Sequence, residues 1–566
     1  MKFVQLTTII LVAMMMSTAT NAQTRDRESA ILKIQNEQFE KGEAELTALI
    51  TKDPNNAEFY FLLGDCFLRQ GLFDENERAD NFAKAQAKFN EGIIKAPKNP
   101  LNFAGLGGLA WLNGDEETAK QHFATVASIV GDKANKVSPP LKTMTYLRMA
   151  QYIIASENFN ESMALEFINQ AKDPKDKNGE EYFITLGECY GRQNVNDQTR
   201  SVEQFNKALG VNPTSARATT RKGVIYKNAR NLDAAEAEFT RAINDLDPYY
   251  APAYRERAEL YLEKRKPKKA VEDYKSYLDL NQSCRVEQRY ASFIYLTKDY
   301  PKAIEALEKA KLCNEESIVM HRLLARSYFE TQEFAKGITA MDKYFEVNNR
   351  RQKPFFLPDD YLYYGRLHIR AGRDTAFALL NFKKAIELKP EMVDAYGEVA
   401  AIYQKKRDMP QAIHYYQQKI AKSETPVMSD YYSMGQCYYH QKEYSTADSV
   451  FAIASSKYDA ALYWRGKCLH AINDKMDTTT TQPLMYYRTF IEKMVADSAQ
   501  FEKNKKLVVE AYTRIAAVEY ELGNPACAAI YCQNALAINP SYDLANKLMA
   551  MDEIKKAVGQ VCTDSK

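Results

Sequence analysis

The sequence predicts an all-α chain, an α-α superhelix of about 12–14 helix–turn–helix repeats. Three observations lead there. A small residue closely preceded by apolar ones recurs at Gly187, Gly223, Ala258, Ala291, Ala325, Gly365, Ala400, Gly435 and Gly466, in steps of 36, 35, 33, 34, 40, 35, 35 and 31 residues. After many of these a second small residue follows (Ala235, Ala270, Ala303, Gly337, Ala412, Ala447), and then a large one (Phe239, Tyr274, Leu307, Met341, Tyr416, Phe451). Finally, 22 Gly and 19 Pro in 566 residues are too few for a turn-rich β protein and suit long helices.

Each repeat reads as two amphipathic helices. In the first, Tyr431, Met434, Gly435 and Tyr438 fall at i, i+3, i+4 and i+7; in the second, Tyr444, Ala447, Phe451 and Ala454 do the same. The small residues allow the two backbones to approach while the aromatics fill the flanks. A pair with apolar surface on two faces cannot bury both alone, so pairs stack. A period near 34 residues with this internal order resembles the tetratricopeptide repeat, over nearly the whole chain.

In chain order, Lys2 followed by FVQLTTIILVAMMM and STATNAQ predicts a secretory signal peptide over 1–22, cleaved after Ala22. The alternative is an uncleaved anchor, although the apolar run is short for the ~20 residues a bilayer requires. No membrane span is expected after cleavage. The resemblance of this leader to bacterial ones implies an exported, periplasmic or envelope-associated protein. Residues 23–175 read as irregular N-terminal repeats, including an acidic turn insertion GLFDENERA at 71–79. A central array spans 176–350. The proline-bearing stretch RRQKPFFLP then marks a candidate bend or boundary. A C-terminal array covers 358–541 and carries a polar insert, NDKMDTTTTQ. Residues 542–566 read as a capping helix and tail.

Lys plus Arg number 76 against 74 Asp plus Glu, a balance that gives no drive toward nucleic acid. Cys437 three residues before His440 raises the question of a metal site. Cys66, Cys189 and Cys468 hold the same place two residues after a small residue, which points to packing, and no paired metal-ligand motif accompanies them. No catalytic residue, metal or cofactor is expected, and no stretch outside the helical pattern is long enough for an enzyme domain. Cys284 opens the first helix of its unit and Cys313 ends the second, so an antiparallel pair would place them as neighbours and make a disulfide plausible. Cys562 could reach Cys527 or Cys532.

What remains is binding. The resemblance implies that first helices line a concave face that holds protein or peptide partners. Positions two before, one after, and four or five after the small residue then face the groove. They include Arg255, Arg322, Arg326, Arg366, Tyr432, Gln436, Tyr439, Tyr463 and Lys467. Arginine with tyrosine suits a peptide bearing a carboxylate and apolar side chains; the alternative is a solvated face whose arginines pair with nearby acids. Some family members clamp a C-terminal carboxylate with Lys and Asn on successive first helices. Here the place after the small residue holds Val224, Glu259, Ser292, Arg326, Ala401 and Gln436, without the asparagines. The expected function is a non-enzymatic scaffold for assembly or maintenance of an envelope complex. The alternative is a structural spacer or self-associating component that uses its edges.

Overall fold

The computed structural model describes residues 24–75, 77–171, 179–193, 198–476 and 480–563; the predicted signal peptide lies outside them. Helices fill the chain, with no strand among the described residues. The helices form two compact units, one up to Thr331 and one from Gln332 on.

Within the first unit, pairs run from 24–35 with Phe39–Lys52 through Ala57–Phe73 with Arg78–Lys95, and Pro100–Leu112 with Glu116–Gly131. They continue to Ala251–Glu263 with Pro267–Leu280 and Cys284–Leu296 with Tyr300–Lys311. The second unit repeats the plan at Pro358–Arg370 with Thr375–Leu388, Val393–Lys405 with Met409–Lys422, and Met428–His440 with Tyr444–Ala454. Ala460–Met476 with Gln482–Ala496 and Ser498–Glu521 with Pro525–Ile538 follow.

The recurring small residue is where two helices touch. A Cβ on Gly435 would stand 2.8 Å from the Phe451 ring; on Gly365, 2.5 Å from Phe382; on Gly223, 2.6 Å from Phe239. Phe89 shows how one pair locks to the next. A Cβ on Gly64 would approach its ring to 2.4 Å, and one on Gly105, in the following pair, to 2.5 Å. The fully buried ring therefore lies in a slot cut by two glycines on neighbouring first helices.

The turns inside the pairs are equally regular. Arg230, Arg265, Lys298, Arg407 and Lys442 all take positive φ, as do Gly114, Gly372 and Gly523 at equivalent places. Each closes its first helix with a left-handed residue. At Arg407, for instance, the Asp408 amide reaches back to the Tyr403 carbonyl (3.0 Å), and the Asp408 side chain then caps the next helix at the Gln411 amide (3.3 Å). A side chain in this region costs more than glycine does. Arg407→Gly with Lys442→Gly is therefore expected to stabilise the local turns by about 0.5–1 kcal/mol each. Hydrogen exchange across 396–451 should slow measurably.

Several sequence expectations change. The predicted acidic insertion at 71–79 is mostly helix, because Gly71, Leu72 and Phe73 extend the Ala57–Phe73 helix and the next begins at Arg78. Gly71 packs against Phe82 there, where an added Cβ would stand 2.9 Å from the ring. The cap is two short helices, Asp543–Met549 and Asp552–Lys556, with Ile554 fully buried against the last pair. The stretch 350–358 lies inside the second unit and is fastened: Asn348 donates to the Phe355 carbonyl (2.7 Å), Phe356 stacks on Phe345 (5.0 Å), and Asp360 accepts from Tyr344 and from the Leu357 amide (2.6 and 2.9 Å).

Candidate functional site

The sequence-predicted groove residues are divided between the two units, and each unit holds its own set. In the first unit Arg255 is tied down. Its guanidinium donates to both carboxylate oxygens of Glu37 (3.0 and 2.9 Å), and a third nitrogen meets Glu256 at 3.0 Å. Around it, the Tyr277 hydroxyl donates to Glu37 (2.7 Å), Asn281 to the Glu37 carbonyl (2.7 Å) and Gln38 to the Leu280 carbonyl (2.6 Å). The first helix pair of this unit is thus joined to the Ala251–Leu280 pair, more than two hundred residues later. Arg322 and Arg326 are half-buried on the Ile318–Glu330 helix.

Joining those pairs gathers further charges that the sequence reading passed over. Asp65 accepts from Arg69 (2.9 Å) and from the Tyr152 hydroxyl (2.8 Å). Gln151 accepts from Arg69 and Arg148 and donates to Glu181 (3.3, 2.6 and 2.7 Å), which holds Arg217; Glu188 holds Arg221 (2.9 Å). Burial by itself would raise the Asp65 carboxyl, but Arg69, Arg148 and Tyr152 outweigh it and lower the pKa. Burial likewise opposes ionisation of Glu256, but Arg255 and Lys227 hold it down at about 2, against 4.5 unperturbed.

That shift carries a pH dependence. With a depressed folded pKa, the unfolded chain binds the proton more tightly, so the stabilisation is complete above pH 4.5 and disappears as pH falls toward 2. Roughly 3 kcal/mol is at stake by linkage. Hydrogen exchange in 216–280 should accelerate over that window, and Glu256→Gln should abolish most of the change.

In the second unit, Arg366 is engaged by Glu398 (2.7 Å) and Asp394 (3.1 Å) on the next first helix. Gln436 accepts from Gln404 at 3.5 Å. These are rungs between successive first helices, the arrangement expected when groove arginines pair with nearby acids. Tyr463 is a correction: it is fully buried, wedged against Trp464, Tyr487 and Phe490, because its helix turns that position into the aromatic core.

Tyr432, Tyr439 and Lys467 do come together, around a residue the sequence reading missed. The Trp464 indole donates to the Tyr432 hydroxyl (2.8 Å), and its ring meets Tyr439 edge-on (5.2 Å). The Lys467 ammonium stands over Trp464, Tyr439 and Tyr463 at 4.7, 5.3 and 5.7 Å and reaches Glu510 at 3.3 Å. Burial pushes the Tyr439 phenol up to about 12, so the ring stays neutral. His440, exposed beside it, borders the patch, with burial of its ring, Lys467 and Arg407 lowering its pKa. The signal for Trp464 was its rarity: the chain has 2 tryptophans.

The cysteines divide by role. Cys284–Cys313 and Cys527–Cys562 are disulfides. Cys66, Cys189, Cys437, Cys468 and Cys532 are buried thiols, and burial pushes Cys437 up to about 12, which leaves it inert packing. No described helix is long and apolar enough to cross a membrane.

A family model described as tetratricopeptide repeat matches residues 28–81 and 194–251. No curated protein matches the sequence. Among solved structures, the C-terminal part of a TPR repeat-containing protein from Cytophaga hutchinsonii is 25% identical, with 46% of this chain and 99% of that one covered and a TM-score of 0.40. A tetratricopeptide repeat protein from Parabacteroides merdae is 17% identical, covering 45% and 98%, with a TM-score of 0.33. YrrB, titled a TPR protein with an unusual peptide-binding site, is 18% identical, covering 36% and 99%, at 0.30. The matched segments and the helix pairs that continue the same small-residue register through both units make this chain a tetratricopeptide-repeat protein.

Proposed function

We propose that the chain is an exported, non-enzymatic scaffold that holds a protein or peptide partner on the first helices of its second unit, in assembly or maintenance of an envelope complex. A tetratricopeptide array is a scaffold for contact between proteins. The observation that carries the finer reading is the patch of half-buried Tyr432, Tyr439 and Lys467, held in place by the buried Trp464 beneath them. Rigid aromatics with a cation held over them supply contact area at low entropic cost, which suits an apolar peptide carrying a carboxylate. Export is supported by the leader sequence and by the two disulfides, which persist in oxidising compartments.

The test is affinity capture from envelope extract, comparing the wild-type chain with Tyr439→Ala combined with Lys467→Glu. Specific partners should fall at least ten-fold with the variant while its circular dichroism is unchanged. Partners retained in full would remove the patch from the reading.

A further inference from the structure

The connection 350–357, RRQKPFFL, joins two helices of the second unit and carries three cations and no acid. Its far end is pinned: Asn348 donates to the Phe355 carbonyl, and Asp360 accepts from the Leu357 amide. One of its phenylalanines is accommodated, since Phe356 stacks on Phe345 (5.0 Å). The other is not. The turn that seats Phe356 leaves Phe355 64 % exposed, so a fastened backbone holds a phenyl ring out in water.

The apolar surface continues from there. Phe345 stacks on Tyr364 (5.0 Å), Tyr364 meets Phe377 edge-on (4.9 Å), and Leu380, one turn beyond Phe377, is 66 % exposed. The rings between are half-buried, so an unbroken strip runs from the connection onto the Thr375–Leu388 helix. Single apolar side chains on a surface are ordinary; a continuous strip with an exposed residue at each end marks a contact surface.

Charge selects what it contacts. Arg350 is taken up by Glu346, but Arg351 and Lys353 are exposed, and neither has an ion pair among the described residues. They stand four and two positions before the protruding ring. The acids around the strip are engaged by the fold. Asp342 accepts from the Tyr364 hydroxyl, Asp360 from Tyr344, and Asp374 caps its helix at the Ala376 and Phe377 amides (2.8 and 3.0 Å). Asp359 lies in the first turn of the Pro358–Arg370 helix, where the helix dipole favours it. An apolar ring that projects beside two unpaired cations matches a bilayer interface, which takes the ring among acyl chains and the cations at phosphates. A fluid surface also receives such a projection without a shaped pocket.

We infer that the 350–357 connection docks the second unit on an anionic phospholipid surface, with Phe355 at the boundary of headgroups and acyl chains and Arg351 and Lys353 on lipid phosphates. No membrane span is involved. The surface uses none of the residues of the Tyr432–Trp464 patch, so it stands or falls independently of the peptide partner.

Co-sedimentation of the mature chain with vesicles tests it, using phosphatidylcholine alone and phosphatidylcholine mixed with phosphatidylglycerol. The leader is left out because its own apolar run would insert. Binding to the anionic vesicles alone is expected, weakening as salt is raised above roughly 0.15 M. Phe355→Ala should weaken it about ten-fold, and Arg351→Gln with Lys353→Gln about twenty-fold. Melting temperatures should not change, since all three side chains are exposed. Phe355→Trp reports depth directly. Both natural tryptophans, Trp111 and Trp464, are buried, so the added indole should shift its emission to the blue and be quenched by brominated acyl chains. The inference is overturned if the anionic vesicles leave the chain in solution, if neutral vesicles bind it as well, if either variant binds like the wild type, or if the Phe355→Trp emission does not move. Phe355-dependent capture of a protein without vesicle binding would assign the strip to that protein and overturn it too.

Discussion

Replacing Phe89 with alanine is expected to destabilise the N-terminal pairs by about 3–5 kcal/mol, the range for emptying a fully buried aromatic site. The ring is 0 % exposed and fills the slot between Gly64 and Gly105 on successive first helices, so the cavity would open at the joint between two repeats. Because a repeat contacts chiefly its neighbours, the loss should be local. Hydrogen exchange should accelerate across 57–112 and stay unchanged across 358–538. Uniform acceleration along the chain would show that the repeats are not quasi-independent. A complementary variant tests the slot from the other side. Gly64→Ala gains about 1 kcal/mol of helix propensity, yet its Cβ would lie 2.4–2.9 Å from the Phe89 ring, closer than real contacts permit. Net destabilisation is expected. Adding Phe89→Leu should recover part of it, since alanine with leucine is the combination this register already uses at Ala291 and Leu307.

The second large effect belongs to Glu37. Its carboxylate receives two guanidinium bonds from Arg255 and one from the Tyr277 hydroxyl, and it lies at a turn with positive φ. Both partners of the ion pair are mostly buried, with side-chain exposures of 24 % and 15 %. Removing one member of such a pair leaves the other charge uncompensated, at a cost of about 3–5 kcal/mol. Glu37→Ala should therefore release the first helix pair from the Ala251–Leu280 pair. Exchange should rise in 24–52 and 251–280, and a double-mutant cycle with Arg255→Gln should show strong coupling. Independent, additive effects of the two substitutions would mean that the contact does not hold the unit closed.

Much of this architecture could be read from the residues. The period near 34, the stripes on Tyr431–Tyr438 and Tyr444–Ala454, and the glycine–aromatic register are local patterns, and local patterns dictate helix pairs and their stacking. Arg221, Glu188 and Arg69 stand two before Gly223, one after Gly187 and five after Gly64, yet the sequence reading did not single them out. It could not say which of them meet. Arg255 was chosen as a partner-binding residue, but its acid lies 218 positions away. Tyr463 was assigned to the groove, and the rotation of its helix into an aromatic cluster buries it.

The helix pair, its period and the burial of the register cysteines follow from the residues alone, because each depends on neighbours within about one repeat. Other features emerge only once the array is folded: the first pair closes on the Ala251–Leu280 pair, arginines and acids from several repeats meet, and Trp464 gathers Tyr432, Tyr439 and Lys467. The reason is additive geometry. Small rotations between neighbouring pairs accumulate along the array, and which distant side chains finally face one another depends on their sum rather than on any single repeat.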